Sequence, residues 1–284
     1  MFDAVTMLLS AVVVTVESLL APPLNGIAWI ANMLFSIPII GLILQVSLRC
    51  VHVFAAAIAV SLEVFVCRLR ILPEKRLRLR VIILRDENGM PACEPTAVIP
   101  HINKAIQLFK RYANIRIIPV RPFMYTSPFK SAPQADEDYV CIEQSTSTKD
   151  LLDCRYGRFR PLGRARMSFN AKACRYCFWG NWRRLVGYGA PICAFGVRSI
   201  DCGKVGFAGP VLGEYVIVDF DLTVNGYPYA SALAHEIGHA CVLRHVAEPC
   251  NLMNPVLSVG TATVDRLDLE QFIRLRISPH VTYL

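Results

Sequence analysis

The chain has 284 residues, 54% of them hydrophobic, with a net charge of +8 and a mean hydropathy of +0.41. That length gives room for one substantial domain and something smaller, and that apolarity excludes an ordinary soluble composition. Neither the apolar residues nor the charges are spread evenly, so both have to be read by region.

The apolar excess sits in the first seventy residues. Ala4 to Ala21 is apolar apart from Glu17, Leu24 to Leu48 carries no charge, and Val51 to Cys67 is interrupted only by His52 and Glu63. Each run approaches the roughly 20 residues that cross a bilayer. The expectation is a transmembrane region over residues 1–70, with two or three helices and lipid contact along residues 4–68. The other reading of the first run is a helix lying in the interface or packed as a hydrophobic helix. A removable signal peptide fits poorly, because Met1-Phe2-Asp3-Ala4-Val5 lacks a positive start.

Arg68, Arg70, Lys75, Arg76, Arg78 and Arg80 follow directly, opposed only by Glu74. The positive-inside rule puts that junction on the cytoplasmic face, with Glu17 and Glu63 reaching for the inner interface. The 11 cysteines pull the other way, toward an oxidising compartment. Two of them, Cys50 and Cys67, fall in the apolar region, and the odd number left cannot all pair with one another. The expectation is therefore an integral, multi-pass membrane protein whose following domain leans to the cytoplasmic side by its charges, against the cysteine count, with the side left open.

From residue 71 to 284 the pattern is that of a folded domain. Arg78 to Arg85 begins in alternation and ends in an apolar run, as a core strand does. Asp86-Glu87-Asn88-Gly89 breaks it. Thr96 to about Asn114 is amphipathic at helical spacing, with Ile99, Ile102, Ile106, Phe109 and Ala113 on one face. Ile115 to Val120 is a second strand. Ala135 to Asp138 is an acidic turn.

Residues 154–189 contain no acidic side chain, yet carry Arg155, Arg158, Arg160, Arg164, Arg166, Lys172, Arg175, Arg183 and Arg184 among interleaved aromatic rings. Such a block suits an anionic lipid, an acidic substrate or, more weakly, nucleic acid. The plain alternative is an insertion whose aromatics pack and whose arginines face water. Cys174 and Cys177, with Cys193 and Cys202, could hold a second metal, but the later pair is too widely spaced for the usual ligand pattern.

Glu214 to Asp221 is a strong strand, Asn225-Gly226 a turn, and Pro228 suits the start of a helix over Tyr229 to Leu243. On that helix His235 and His239 lie four residues apart, one above the other, so both imidazoles can reach one cation. Glu236 stands beside the first, placed to take a proton from an attacking water. His245 follows six residues after His239. Neutral imidazole nitrogens suit Zn2+, and three of them leave a position open for chemistry.

Here a resemblance becomes specific. His235-Glu236-Ile237-Gly238-His239-Ala240-Cys241-Val242-Leu243-Arg244-His245 resembles the metzincin zinc-endopeptidase consensus H-E-x-x-H-x-x-G-x-x-H, and Asn251-Leu252-Met253-Asn254-Pro255 resembles its Met-turn. Among metzincins, Leu-Met-x-Pro is closest to the matrixin version. The resemblance implies an α+β fold, with a twisted mixed sheet, an active-site helix, the Met-turn and a closing helix, here Val264 to Leu275. It implies a strand, helix and strand at the start, as the pattern above offers, and Glu214 to Asp221 as the cleft's upper rim, pairing with an extended substrate. It also implies Zn2+ on His235, His239 and His245, Glu236 as catalytic base, Met253 packed beneath the metal, and a protein or peptide substrate.

One position departs from the consensus. Val242 stands where Gly lets the helix stop and turn back, and a β-branched residue resists the left-handed conformation. Either Val242 finds another turn geometry or the third ligand lies elsewhere. Three readings follow. The first is a membrane-anchored zinc endopeptidase. The second is a gluzincin-like membrane protease with Glu270 as third ligand. The third is a membrane-tethered, non-catalytic module that binds through residues 154–189. Oligomeric state is left open.

Overall fold

The computed structural model describes residues 73–84, 90–120, 140–142, 158–159, 182–197, 199–200, 206–208, 215–221, 223–224, 227–228, 230–255 and 266–283, with scattered positions between 19 and 65. In chain order these form β1 (Lys75–Ile83), α1 (Pro95–Ala113), β2 (Ile115–Pro119), β3 (Val140–Ile142), β4 (Arg158–Phe159), α2 (Arg183–Val186), β5 (Ile192–Val197) and β6 (Ser199–Ile200). Then come β7 (Gly206–Ala208), β8 (Tyr215–Asp219), β9 (Thr223–Val224), β10 (Tyr227–Pro228), α3 (Ala232–Ala240), α4 (Leu269–Ile277) and β11 (Val281–Thr282).

The sheet is mixed, as expected, and is built around β1. One edge of β1 takes β2 and then β3, both parallel; the other takes the antiparallel β11 and then the parallel β5. β5 continues to a parallel β8, and β8 to an antiparallel β7 at the rim. The crossover from β1 through α1 to β2 makes two parallel neighbours out of consecutive strands. Pro95 opens α1 at its first turn, where a missing N–H costs nothing. Asn114 closes it in the left-handed conformation, its N–H bonded to the Phe109 carbonyl.

The buried face of α1 is rotated slightly from the expected stripe. Val98, His101, Ile102, Ala105, Leu108, Phe109 and Ala113 are buried, while Ile99 and Ile106 are only partly so. α1 packs against β2 on one side and α3 on another, so its apolar surface is covered from two directions. The buried histidine in that face was not foreseen.

The strand expected at the rim is also displaced inward. β8 lies between β5 and β7 and is buried along its whole length, so it is an interior strand. Its run Val216-Ile217-Val218 has no polar face to present to solvent. Among the described residues β7 takes the rim instead. β9 and β10 pair on either side of Asn225-Gly226, and Pro228 belongs to that ladder and not to the helix, which begins at Ala232.

The expectation of an integral, multi-pass membrane protein is overturned. Among the described residues no helix is long and apolar enough to cross a membrane; most of residues 4–68, where lipid contact was expected, lie outside the described residues. Glu63 shows a physical reason. Its carboxylate does not reach for an interface; it is 2% exposed and forms ion pairs with Lys75 at 2.7 Å and Arg276 at 2.5 Å. Lys75 begins β1 and Arg276 ends α4. The helical position carrying Glu63 is thus joined to the domain by buried charge.

Candidate metal centre

α3 is short, apolar on its inner face, and ends in a Schellman motif. The Val242 N–H bonds to the His239 carbonyl and the Leu243 N–H to the Gly238 carbonyl, both at 2.9 Å. The residue in the left-handed position of that motif is Val242, with φ of 67°. Its side chain is 63% exposed, which removes packing conflict but not the backbone cost of about 1–2 kcal/mol. Val242 therefore adopts the glycine-type turn itself. The chain reverses, and His245 comes back over the helix.

The result is a triangle of imidazole nitrogens. His235 Nε2 lies 3.0 Å from His239 Nε2 and 3.3 Å from His245 Nε2, and the last two are 2.9 Å apart. Three nitrogens so close repel unless they share something between them. Ligands about 2.0–2.1 Å from a tetrahedral zinc stand roughly 3.3 Å apart, so the spacing fits one divalent cation with slight contraction. The three ligand atoms lie within 4.8 Å of one another, and among the described residues this is the only such group of His, Cys, Asp or Glu.

The opposite ring nitrogens fix the tautomers. His235 Nδ1 is 2.7 Å from the Leu252 carbonyl and His239 Nδ1 is 2.9 Å from the Leu243 carbonyl. A carbonyl only accepts, so each Nδ1 carries the proton and each Nε2 keeps its lone pair. Burial pulls the His235 imidazole down to about 4; the Leu252 carbonyl opposes this, and His239 and His245 add to it. Burial likewise lowers His239. Both rings are neutral at pH 7, the form that binds a metal.

Glu236 is 6% exposed, on the same helix and between α3 and the rim strand. A Cβ added at Gly206 in β7 would collide with the Glu236 side chain, so the strand backbone passes directly over the carboxylate. Met253 is fully buried, and a Cβ at Gly238 would come within 2.6 Å of its Sδ. Met253 thus lies under the segment between the two helical histidines.

The turn that carries Met253 is held from behind. Asn251 Nδ2 donates to Gln271 Oε1 and Gln271 Nε2 donates to Asn251 Oδ1, both at 3.0 Å. Sequence reading named the turn but missed Gln271 and the carbonyls of Leu243 and Leu252. Asp268-Leu269-Glu270-Gln271 carries the signature of a capping box, which the structure forms in both directions, and that was the available signal. The backbone carbonyls left no signal at all.

Glu270, the alternative third ligand, is exposed on α4 and pairs with Arg274 at 2.7 Å. It is not one of the three grouped ligands. Cys174, Cys177 and Cys202 lie outside the described residues; Cys193 is buried in β5, 3.7 Å from Arg184 Nη2. Most of the basic and aromatic block over 154–189 also lies outside them. Two of its arginines that are described do not face water: Arg183 is 5% exposed and Arg184 is fully buried, donating to the Pro191 carbonyl.

No family model matches the sequence, and no curated protein matches it. Among solved structures the chain is similar to metalloproteinase-II from Bacteroides fragilis, at 15% identity and a TM-score of 0.41. That match covers 70% of this chain and 52% of the other, so this chain spans about half the length of that structure.

Proposed function

We propose that this chain is a zinc-dependent metallopeptidase, an endopeptidase of metzincin type with a matrixin-like turn at Leu252-Met253-Asn254-Pro255, whose catalytic domain spans residues 71–284. One observation carries the reading: three Nε2 atoms 2.9–3.3 Å apart, two of them on one helix with a buried carboxylate between. His235, His239 and His245 would hold Zn2+, and Met253 would support them from below. A bound Zn2+ supplies Lewis acidity, which acidifies a water and polarises a carbonyl.

The chain's own part in the reaction falls to Glu236. Its carboxylate takes the proton from the attacking water and passes it to the departing amine, so one group serves as base and then acid. Burial against β7 keeps bulk water from competing for that proton. β7 pairs only with β8 among the described residues, so its outer edge would accept an extended peptide as a further strand. A protein or peptide is the substrate that such an edge can read.

Zinc analysis and peptide hydrolysis by Glu236→Gln test the proposal together. The variant is expected to keep its zinc and to lose about 10²–10⁴-fold in kcat. His245→Ala is expected to lose the metal. Undiminished hydrolysis by Glu236→Gln would remove the assigned base. Full zinc occupancy in His245→Ala would return the third-ligand role to another residue.

A further inference from the structure

The turn around Met253 meets the histidine set at three points. The Leu252 carbonyl accepts from His235 Nδ1. The Met253 carbonyl accepts from the N–H of Val246, next to His245, at 3.1 Å. The Met253 side chain lies beneath Gly238, adjacent to His239. Wherever this turn stands, the triangle follows.

On its far side the turn is bound to α4 by one side-chain pair. Asn251 and Gln271 exchange two amide hydrogen bonds of 3.0 Å, both residues being buried. Each amide is also engaged beyond the pair. Asn251 Oδ1 accepts from the Met253 N–H at 2.8 Å, and Gln271 Oε1 accepts from the Asp268 N–H at 2.9 Å. The Leu252 N–H, one peptide away, bonds to the Arg266 carbonyl at 2.9 Å. Loss of either amide therefore leaves the other's N–H donor buried and unmet, while its oxygen keeps only its backbone partner.

We infer that Gln271 is a positioning residue for the metal centre, acting through Asn251 to fix the Leu252 carbonyl and so the orientation of His235. The inference rests on the proposal that the histidines hold zinc. It assigns to α4 a role beyond closing the fold: the helix sets metal affinity from the opposite side of the turn. Capping of α4 is a separate function and can be removed separately. Asp268 Oδ1 accepts from the Gln271 N–H at 2.8 Å, and Asp268 is exposed. Asp268→Ala therefore weakens the helix start while leaving the amide pair in place.

The test is Zn2+ affinity of the full chain, measured by competition with a chromophoric chelator at a temperature where each variant is folded. Gln271→Met, which keeps bulk and helix propensity but loses both amide bonds, is expected to bind Zn2+ about 10–100-fold more weakly. Gln271→Glu keeps an acceptor for Asn251 but loses the donor, and its affinity should fall between; it decides the matter if Gln271→Met does not fold. Asp268→Ala should unfold at lower denaturant yet bind Zn2+ like the wild type. The Co2+-loaded Gln271→Met chain should also show displaced visible absorption bands, which a loss of stability does not produce. Wild-type affinity in both Gln271 variants would overturn the inference, as would an equal loss in Asp268→Ala. A wild-type chain that takes up no Zn2+ would overturn the peptidase proposal and this inference together, so the two failures are distinguishable.

Discussion

Two corners of the domain are built on opposite principles. At the candidate metal centre burial keeps the His235 and His239 imidazoles neutral, and their positions are set by backbone carbonyls and a reciprocal amide pair. At the far corner the side chains are charged and almost wholly buried: Glu63 between Lys75 and Arg276, with the Tyr283 hydroxyl donating to the same carboxylate. Two cations face one anion there, and carbonyls take up the excess. Arg276 Nη1 donates to Ala113 at 2.9 Å and Nη2 to Pro73 at 3.1 Å, while Lys75 stands 4.4 Å above the Tyr283 ring.

The difference has a physical logic. A site suited to accept a cation cannot already hold one, and burial keeps His235 and His239 uncharged. A corner that must join β1, α1, α4 and the chain's last residues can use charge, provided that every hydrogen-bonding direction is met. Each corner has a non-glycine residue in the left-handed conformation: Asn114 at the charged corner, a residue type that tolerates it, and Val242 at the other, which resists it.

Breaking the charged corner should have the largest effect. Glu63→Ala leaves Lys75 and Arg276 buried without their anion and should cost about 3–5 kcal/mol of stability. Chemical unfolding measures this, and Zn2+ affinity of the folded variant should be unchanged. A parallel fall in affinity would show that the corners are coupled and the contrast too sharp.

His101 lies between the two in its effect. It is fully buried on α1, edge-on to Phe220 with ring centroids 5.2 Å apart. Neither ring nitrogen makes a well-formed hydrogen bond among the described residues. Burial pulls its pKa from 6.5 down to about 4, the Phe220 backbone offsetting part of the pull. The unfolded chain therefore binds a proton that the folded chain refuses. This stability is complete above pH 6.5 and is lost as the pH falls toward 4, by about 3 kcal/mol in all. His101→Met should lack that component. Comparing the two chains' unfolding free energies at pH 7 and pH 4.5 isolates it, and identical pH dependence would show that His101 is protonated without penalty.

The smallest effect sharpens the metal corner. Val242→Gly supplies the residue that the left-handed position favours and should raise stability by about 1 kcal/mol, with Zn2+ affinity retained. The unfolding midpoint checks it. A loss of stability would mean that the valine side chain makes contacts worth more than the backbone cost.

The sequence was sufficient wherever a residue's local preference and its place in the fold agree. The helix from Pro95, the strands around Val81 and Ile117, and the four-residue spacing of His235 and His239 follow from periodicity alone. The turn at Leu252-Met253 was legible because it is encoded in adjacent residues, and the capping box from Asp268 to Gln271 is encoded the same way but went unread. What depended on distant residues could not be read that way. The apolar run near Glu63 has the hydropathy of a membrane span, and only the tertiary structure brings Lys75 and Arg276 to its carboxylate. β8 has the composition of either a rim or an interior strand, and its neighbours decide which. Val242 opposes the turn it forms, and the hydrogen bonds from Val242 and Leu243 back to the helix, with the Leu252 carbonyl beneath His235, hold the geometry against that preference. Local propensity is worth tenths of a kcal/mol per residue, whereas contacts across the fold are worth several, so where the two disagree the fold prevails.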